Sequence, residues 1–277
     1  VALVGERWGV AALLTIDALA AAELGDVESA ALGAEKARAR FAALGDRWGE
    51  ALALTAAGIA ARGAGDPAGA VALLVQAVAL AEDGGYPVVG NLALVACGYA
   101  ELDRGELAAA ERAAYRAMGQ VAGLQLEPHA PLGAKVLLAQ VLRARGQTAL
   151  ALSELEAALA VSEVPALLFP RRQALAHRAG MLVELGRLPD AVAAAREAVA
   201  LPAEDVRARV LALRALGTAL SASGVDVEAR EAFTQALEIA RSTGQRSEVA
   251  ASERALAGAS RVRAPAVVRA RQSAPPD

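Results

Sequence analysis

Glu6-Arg7-Trp8-Gly9 recurs forty residues later as Asp46-Arg47-Trp48-Gly49, and these stretches hold the only two tryptophans in the chain. A fixed period of roughly 20 to 50 residues points to a repeat architecture rather than to a globular core. Carried along the chain, the same phase finds turn glycines at Gly25, Gly65, Gly105, Gly146, Gly186 and Gly224, in steps of 40, 40, 41, 40 and 38. The segments on either side of each glycine carry apolar residues at helical spacing. Each unit therefore reads as helix, turn, helix. Glycine suits the end of the first helix because the left-handed capping conformation is costly for any residue with a Cβ. The acidic residue that follows three of the glycines, in Asp26, Asp66 and Glu106, suits the positive end of the next helix.

The match between units extends to individual positions. Seven residues ahead of each turn glycine sits a small residue: Ala18, Gly58, Gly98, Ala139, Ala179 and Gly217. Twelve residues beyond these lie Ala30, Ala70, Ala110, Ala151, Ala191 and Ala229. A further seven on lie Ala37, Ala77, Ala117, Ala158, Ala198 and Ala236. Small residues at such places let helices approach closely with their ridges interlocked.

This pattern resembles the tetratricopeptide repeat, with a small residue at its eighth position and Ala at its twentieth and twenty-seventh. The sixth unit carries it most fully, in Leu216-Gly217, Ala229, Phe233 and Ala236. The aromatic residues expected at positions four and eleven are mostly replaced by Leu, as at Leu14, Leu54, Leu94, Leu182 and Leu220. The resemblance implies an all-α fold of tandem helical hairpins stacked into a right-handed superhelix, an α-solenoid. The long unit with a Gly-Asp-Arg-Trp-Gly linker is similar to the C-terminal repeat regions of large bacterial signalling ATPases of the STAND type and of LuxR-like transcription regulators. Kinesin light chains also carry long units of this family.

The expected organisation is a superhelix over residues 1–260. Residues 1–6 read as the remnant of a cut repeat, since Val1 to Gly9 aligns on Phe41 to Gly49. Six hairpins follow over about 7–245, then a capping helix at 248–260. Residues 261–277, with Arg261, Arg263, Arg269 and Arg271 among prolines, read as a disordered tail.

Composition narrows the function classes. The 277 residues are 56% hydrophobic but only 3% aromatic, and roughly a quarter are alanine, the strongest helix former. A net charge of −3 and a pI near 5.6 leave no basic face for nucleic acid or an anionic membrane. A mean hydropathy of +0.36 reflects alanine. The longest uncharged run, Gly84 to Ala100, is broken by Gly85, Pro87 and Gly90 and is shorter than the ~20 residues a span requires. The absence of a basic, apolar leader at Val1 points to a cytoplasmic chain. One cysteine, Cys97, makes neither an internal disulfide nor a multi-cysteine zinc site and falls at an apolar position as a buried thiol.

No catalytic residue, metal site or cofactor is expected. The chain lacks a Gly-Lys dipeptide, a His-Glu-x-x-His, a Cys-x-x-Cys and a Gly-x-Ser-x-Gly. His129 reads as a loop residue and His177 as a surface or half-buried helix residue. What remains is the groove. The resemblance implies that positions two, five, nine, twelve and thirteen of each first helix face inward. The groove candidates are Thr15, Thr55, Arg62, Tyr99, Asp103, Gln140, Arg143, Gln173, Arg214 and Thr218. Glu23 and Glu184 share those positions, as do the apolar Leu52, Ile59, Leu92, Val95, Leu102, Val136 and Leu211. This mixture fits a protein, a peptide or a small organic ligand, with Arg143 and Arg214 free to grip carboxylates. Other domains of a longer chain are also expected partners. A chaperone clamp is not expected, because Lys36 lies in a second helix, Lys135 at position four and Asn91, the only asparagine, at position one.

Overall fold

A computed structural model describes residues 2–24, 26–124, 132–160, 168–202, 206–244 and 246–261. Across them run thirteen helices: α1 (Ala2–Leu24), α2 (Val27–Leu44), α3 (Arg47–Gly63), α4 (Pro67–Gly84), α5 (Pro87–Asp103), α6 (Leu107–Val121), α7 (Leu132–Ala144), α8 (Thr148–Ala160), α9 (Leu168–Glu184), α10 (Leu188–Ala200), α11 (Val206–Ala222), α12 (Asp226–Ser242) and α13 (Arg246–Arg261). No strand occurs among the described residues. Turn glycines Gly65, Gly105, Gly146, Gly186 and Gly224 all take φ between 73° and 85°, the conformation that ends the first helix of a hairpin. Asp26 and Asp66 then cap α2 and α4 by accepting from the backbone N–H of Ser29 and Gly69. Glu106, one methylene longer, makes no such bond at the start of α6.

The alanines repeated at positions twenty and twenty-seven are sealed in every unit, at 0 or 1% exposure. The glycines at position eight, Gly58, Gly98 and Gly217, face large side chains of neighbouring helices. A Cβ built on Gly58 would lie 2.4 Å from Leu74 Cγ, and one on Gly217 would lie 2.6 Å from Phe233 Cε1. At these glycines the helices close to a spacing that leaves no room for a Cβ. Each helix packs on its sequence neighbours, and each odd-numbered helix also touches the next odd-numbered one in a continuous row from α1 to α13. The even-numbered helices form no such row, so the odd helices make the tighter, inner layer of the curve. The array is an all-α solenoid of stacked hairpins, and its curvature brings α1 against α11.

Two features differ from the sequence expectation. Residues 1–6 read as the remnant of a cut repeat set apart from the first hairpin, whereas α1 runs unbroken from Ala2 to Leu24. Where Asp46 caps α3 by accepting from Gly49 N–H, the equivalent residue is Glu6, a poorer cap. Trp8 instead stacks on Trp48, with ring centroids 6.3 Å apart, and donates its indole N–H to Asp46 Oδ2 at 2.6 Å. The run Gly84 to Ala100 is not the apolar helix that stands out. Among the described residues, α4 alone is long and apolar enough to cross a membrane, and it packs between α3 and α5 with Ala70, Leu74, Ala77, Val78 and Ala81 buried. His129 and the tail from residue 262 onward lie outside the described residues.

Candidate ligand-binding cavity

The inner row of odd helices lines a half-open cavity of about 480 Å³. Six helices contribute to its wall: Ile59 and Arg62 from α3; Asn91, Leu92, Val95, Ala96, Tyr99 and Leu102 from α5; Gly133 and Gln140 from α7; Gln173 and His177 from α9; Arg207 and Leu211 from α11; and Glu248 from α13. An apolar wall with a few placed polar groups is the usual make-up of an organic-ligand site.

Four of the ten sequence candidates meet here: Arg62, Tyr99, Gln140 and Gln173. Tyr99 and Gln140 hold the same place on adjacent helices, six residues ahead of Gly105 and Gly146. The Tyr99 hydroxyl and the Gln140 amide nitrogen are both buried without a hydrogen-bond partner. The Arg62 guanidinium lies over the Tyr99 ring at 5.2 Å from its centroid, a cation–π contact, while its Nε donates to Asp103 Oδ2 at 2.6 Å. Burial pushes the Tyr99 phenol up to about 12, against the opposing pull of Arg62 and Arg207.

The other candidates are placed differently. Thr15 and Thr55 are fully buried, and their hydroxyls donate to the carbonyls of Ala11 and Ala51 one turn earlier, so neither offers a group to a ligand. Position five is likewise buried at Val136 and Ala176, whereas Val95, at the same position, lines the cavity. Thr218 is exposed and donates to Arg214 O. Asp103 is committed to Arg62. The expectation that Arg143 and Arg214 stand free is corrected: Arg143 Nε donates to Glu184 Oε1 at 2.8 Å, and Arg214 Nη1 lies 2.6 Å from Glu248 Oε2. The Arg62–Asp103 and Arg143–Glu184 pairs are equivalent, each joining an arginine three residues before one turn glycine to a carboxylate two residues before the next. They tie adjacent units together. Leu52 packs beside Trp48 and Tyr86, away from the cavity. The side chain of Glu23 lies outside the described residues.

Sequence reasoning missed His177, Asn91, Arg207 and Glu248. His177 lies at position six, one residue beyond the inward set, and is half-buried on the wall. Burial, followed by the positive charges of Arg143 and Arg214, drives its imidazole down to about 4, so it is neutral at physiological pH. Asn91 spends its side-chain N–H₂ on Ala117 O at 2.8 Å. Glu248 was hidden because α13 reads as a cap, whereas it continues the inner row and supplies a wall residue. Cys97 is buried, and desolvation pushes its thiol above the ordinary value. No cluster of three or more His, Cys, Asp or Glu side chains able to hold a metal occurs among the described residues.

No family model matches the sequence, and no curated protein matches it. Solved structures do match in fold. The peptide-bound form of NprR, in complex with its cognate peptide NprX, is 12% identical and aligns with a TM-score of 0.63 over 88% of this chain and 72% of its own. The apo form of RapI is 14% identical, with a TM-score of 0.57 over 94% of this chain and 71% of its own. BtubC from P. vanneervenii is 14% identical, with a TM-score of 0.55 over 80% of this chain and 91% of its own. At these identities the likeness establishes the helical-repeat fold.

Proposed function

We propose that the chain is a non-enzymatic binding module and that its ligand occupies the inner cavity. The observation that carries this reading is the pair of orphaned polar groups, Tyr99 Oη and Gln140 Nε2, held in register on a wall that mixes apolar and polar side chains. Buried polar atoms without partners cost stability, and a wall that keeps them is suited to a ligand that supplies the missing bonds. Support also comes from the fold neighbours, since NprR is seen with the peptide NprX and a Rap regulator of plasmid pLS20 with the Phr* peptide.

The finer reading is that of a C-terminal sensor region in a bacterial transcription regulator. It rests on the long repeat unit and its Gly-Asp-Arg-Trp-Gly linker. In that setting ligand binding to the array controls an ATPase or DNA-binding part of the same chain. The upstream reading frame tests it: a P-loop ATPase or helix-turn-helix sequence ahead of Val1 supports the regulator, and a start codon at that point overturns it in favour of a stand-alone scaffold.

The site itself is tested by filling it. A Leu92→Trp/Leu211→Trp double variant occupies the cavity without burying a charge. In a thermal-shift screen of peptides and small molecules, hits of the parent protein are expected to vanish in this variant while its circular dichroism is unchanged. Hits that persist at full strength move the site off the inner wall.

A further inference from the structure

Among the described residues, the charges around the cavity do not balance. On one side each guanidinium meets its own carboxylate, Arg62 with Asp103 and Arg143 with Glu184. On the α11–α13 side two guanidiniums share one carboxylate: Arg214 lies 2.6 Å and Arg207 3.5 Å from Glu248. Among the described residues one positive charge is left over on this wall, beside the apolar Leu92, Val95 and Leu211, where screening by water is weaker than in bulk. The orphaned polar atoms point the same way. Tyr99 Oη and Gln140 Nε2 are both able to donate, and no orphaned carbonyl or carboxylate oxygen occurs among the described side chains. Tyr99 also lies within the electrostatic reach of Arg207, which links the two sides of the cavity. A space of about 480 Å³, with α1 closed against α11, is of the size that holds a small molecule.

We propose that the cavity binds a small, largely apolar organic acid. Its carboxylate is received by Arg207 and by the donors Tyr99 and Gln140, and its apolar body lies on Leu92, Val95 and Leu211. A carboxylate accepts several hydrogen bonds at once and neutralises the unbalanced charge, which a neutral or cationic ligand does not. The proposal rests on the reading of the inner wall as the binding site, and the following test separates the two.

Isothermal titration calorimetry of the full chain compares sodium decanoate with decan-1-ol, and an acetylated apolar tetrapeptide as free acid with its C-terminal amide. Decanoate is expected to bind at least tenfold more tightly than decanol. Arg207→Gln is expected to lower decanoate affinity at least tenfold and so abolish that preference, and Arg207→Lys to retain it. Matching melting curves of the two unliganded variants exclude misfolding. Equal affinity for decanoate and decanol, both lost in Leu92→Trp/Leu211→Trp, overturns the organic acid and leaves the wall as the site. Decanoate binding that survives the double variant overturns both readings. Binding of the peptide acid without binding of decanoate overturns a small molecule as the source of the carboxylate, and failure of all four probes overturns the proposal.

Discussion

Ala229 is wholly enclosed at the point where α12 crosses α11, with Leu220 and Phe233 packed nearby. The same position is alanine in all six units and sealed in each, so its size sets the spacing of the hairpin. Replacing Ala229 by Leu inserts three carbons where no void exists. The expected result is a loss of about 1–3 kcal/mol, read as a lower urea midpoint at unchanged slope. An unchanged midpoint would show that the hairpins are not in this register. Residues of this kind were legible in the sequence because the repeat displays each one six times. Asp46 was not. Its Oδ1 caps α3 at Gly49 while Oδ2 accepts from the Trp8 indole, thirty-eight residues away, a double role that no local pattern announces. The arginines misled for a related reason: an inward position says where a guanidinium starts, and its length lets it reach a carboxylate on the next repeat.

On the scale of single helices, the inward face of the first helices was only partly readable. Position two lines the cavity in four successive units, through Leu92, Gly133, Gln173 and Leu211, and position nine in three, through Ile59, Tyr99 and Gln140. Position five is instead buried at Thr15, Thr55, Val136 and Ala176 and reaches the cavity through Val95. On α9 the wall is also reached by His177, at position six. The helices around it face it with Arg143 from α7 and Arg214 from α11, while each of these is held by Glu184 or Glu248. The folded imidazole therefore resists protonation down to about pH 4, whereas in the unfolded chain it titrates near the ordinary histidine value of 6.5. Between those values the unfolded state binds more protons, so stability rises with pH through this window and is lost as pH falls from 6.5 toward 4. Thermal melts of the parent protein and of His177→Gln are expected to diverge in this way, the variant showing the shallower decline below pH 6.5. Parallel curves would place the imidazole in solvent.

For the molecule as a whole, the solenoid makes stability a matter of neighbours, since each helix touches only those next to it in sequence or in the inner row. The exception is the contact between α1 and α11, which closes the curve and could not be read from a repeat pattern, because it depends on the summed rotation of five units. This gives removal of α13 a distinctive signature. Ending the chain at Gly244 uncovers Leu220 and Phe233, against which Ala255, Leu256 and Ala259 pack. It also strips Arg207 and Arg214 of their shared carboxylate. Amide hydrogen exchange should then show protection falling in α11 and α12. The same loss is expected in α1, far away in sequence but bound to α11, while α7 and α8, set within the largest buried cluster, keep theirs. A uniform fall over all helices would mean that the array unfolds as one cooperative unit. A fall confined to α11 and α12, with α1 untouched, would mean that the closing contact contributes nothing to stability, and the cavity would then be an open groove able to admit an extended chain rather than a small acid.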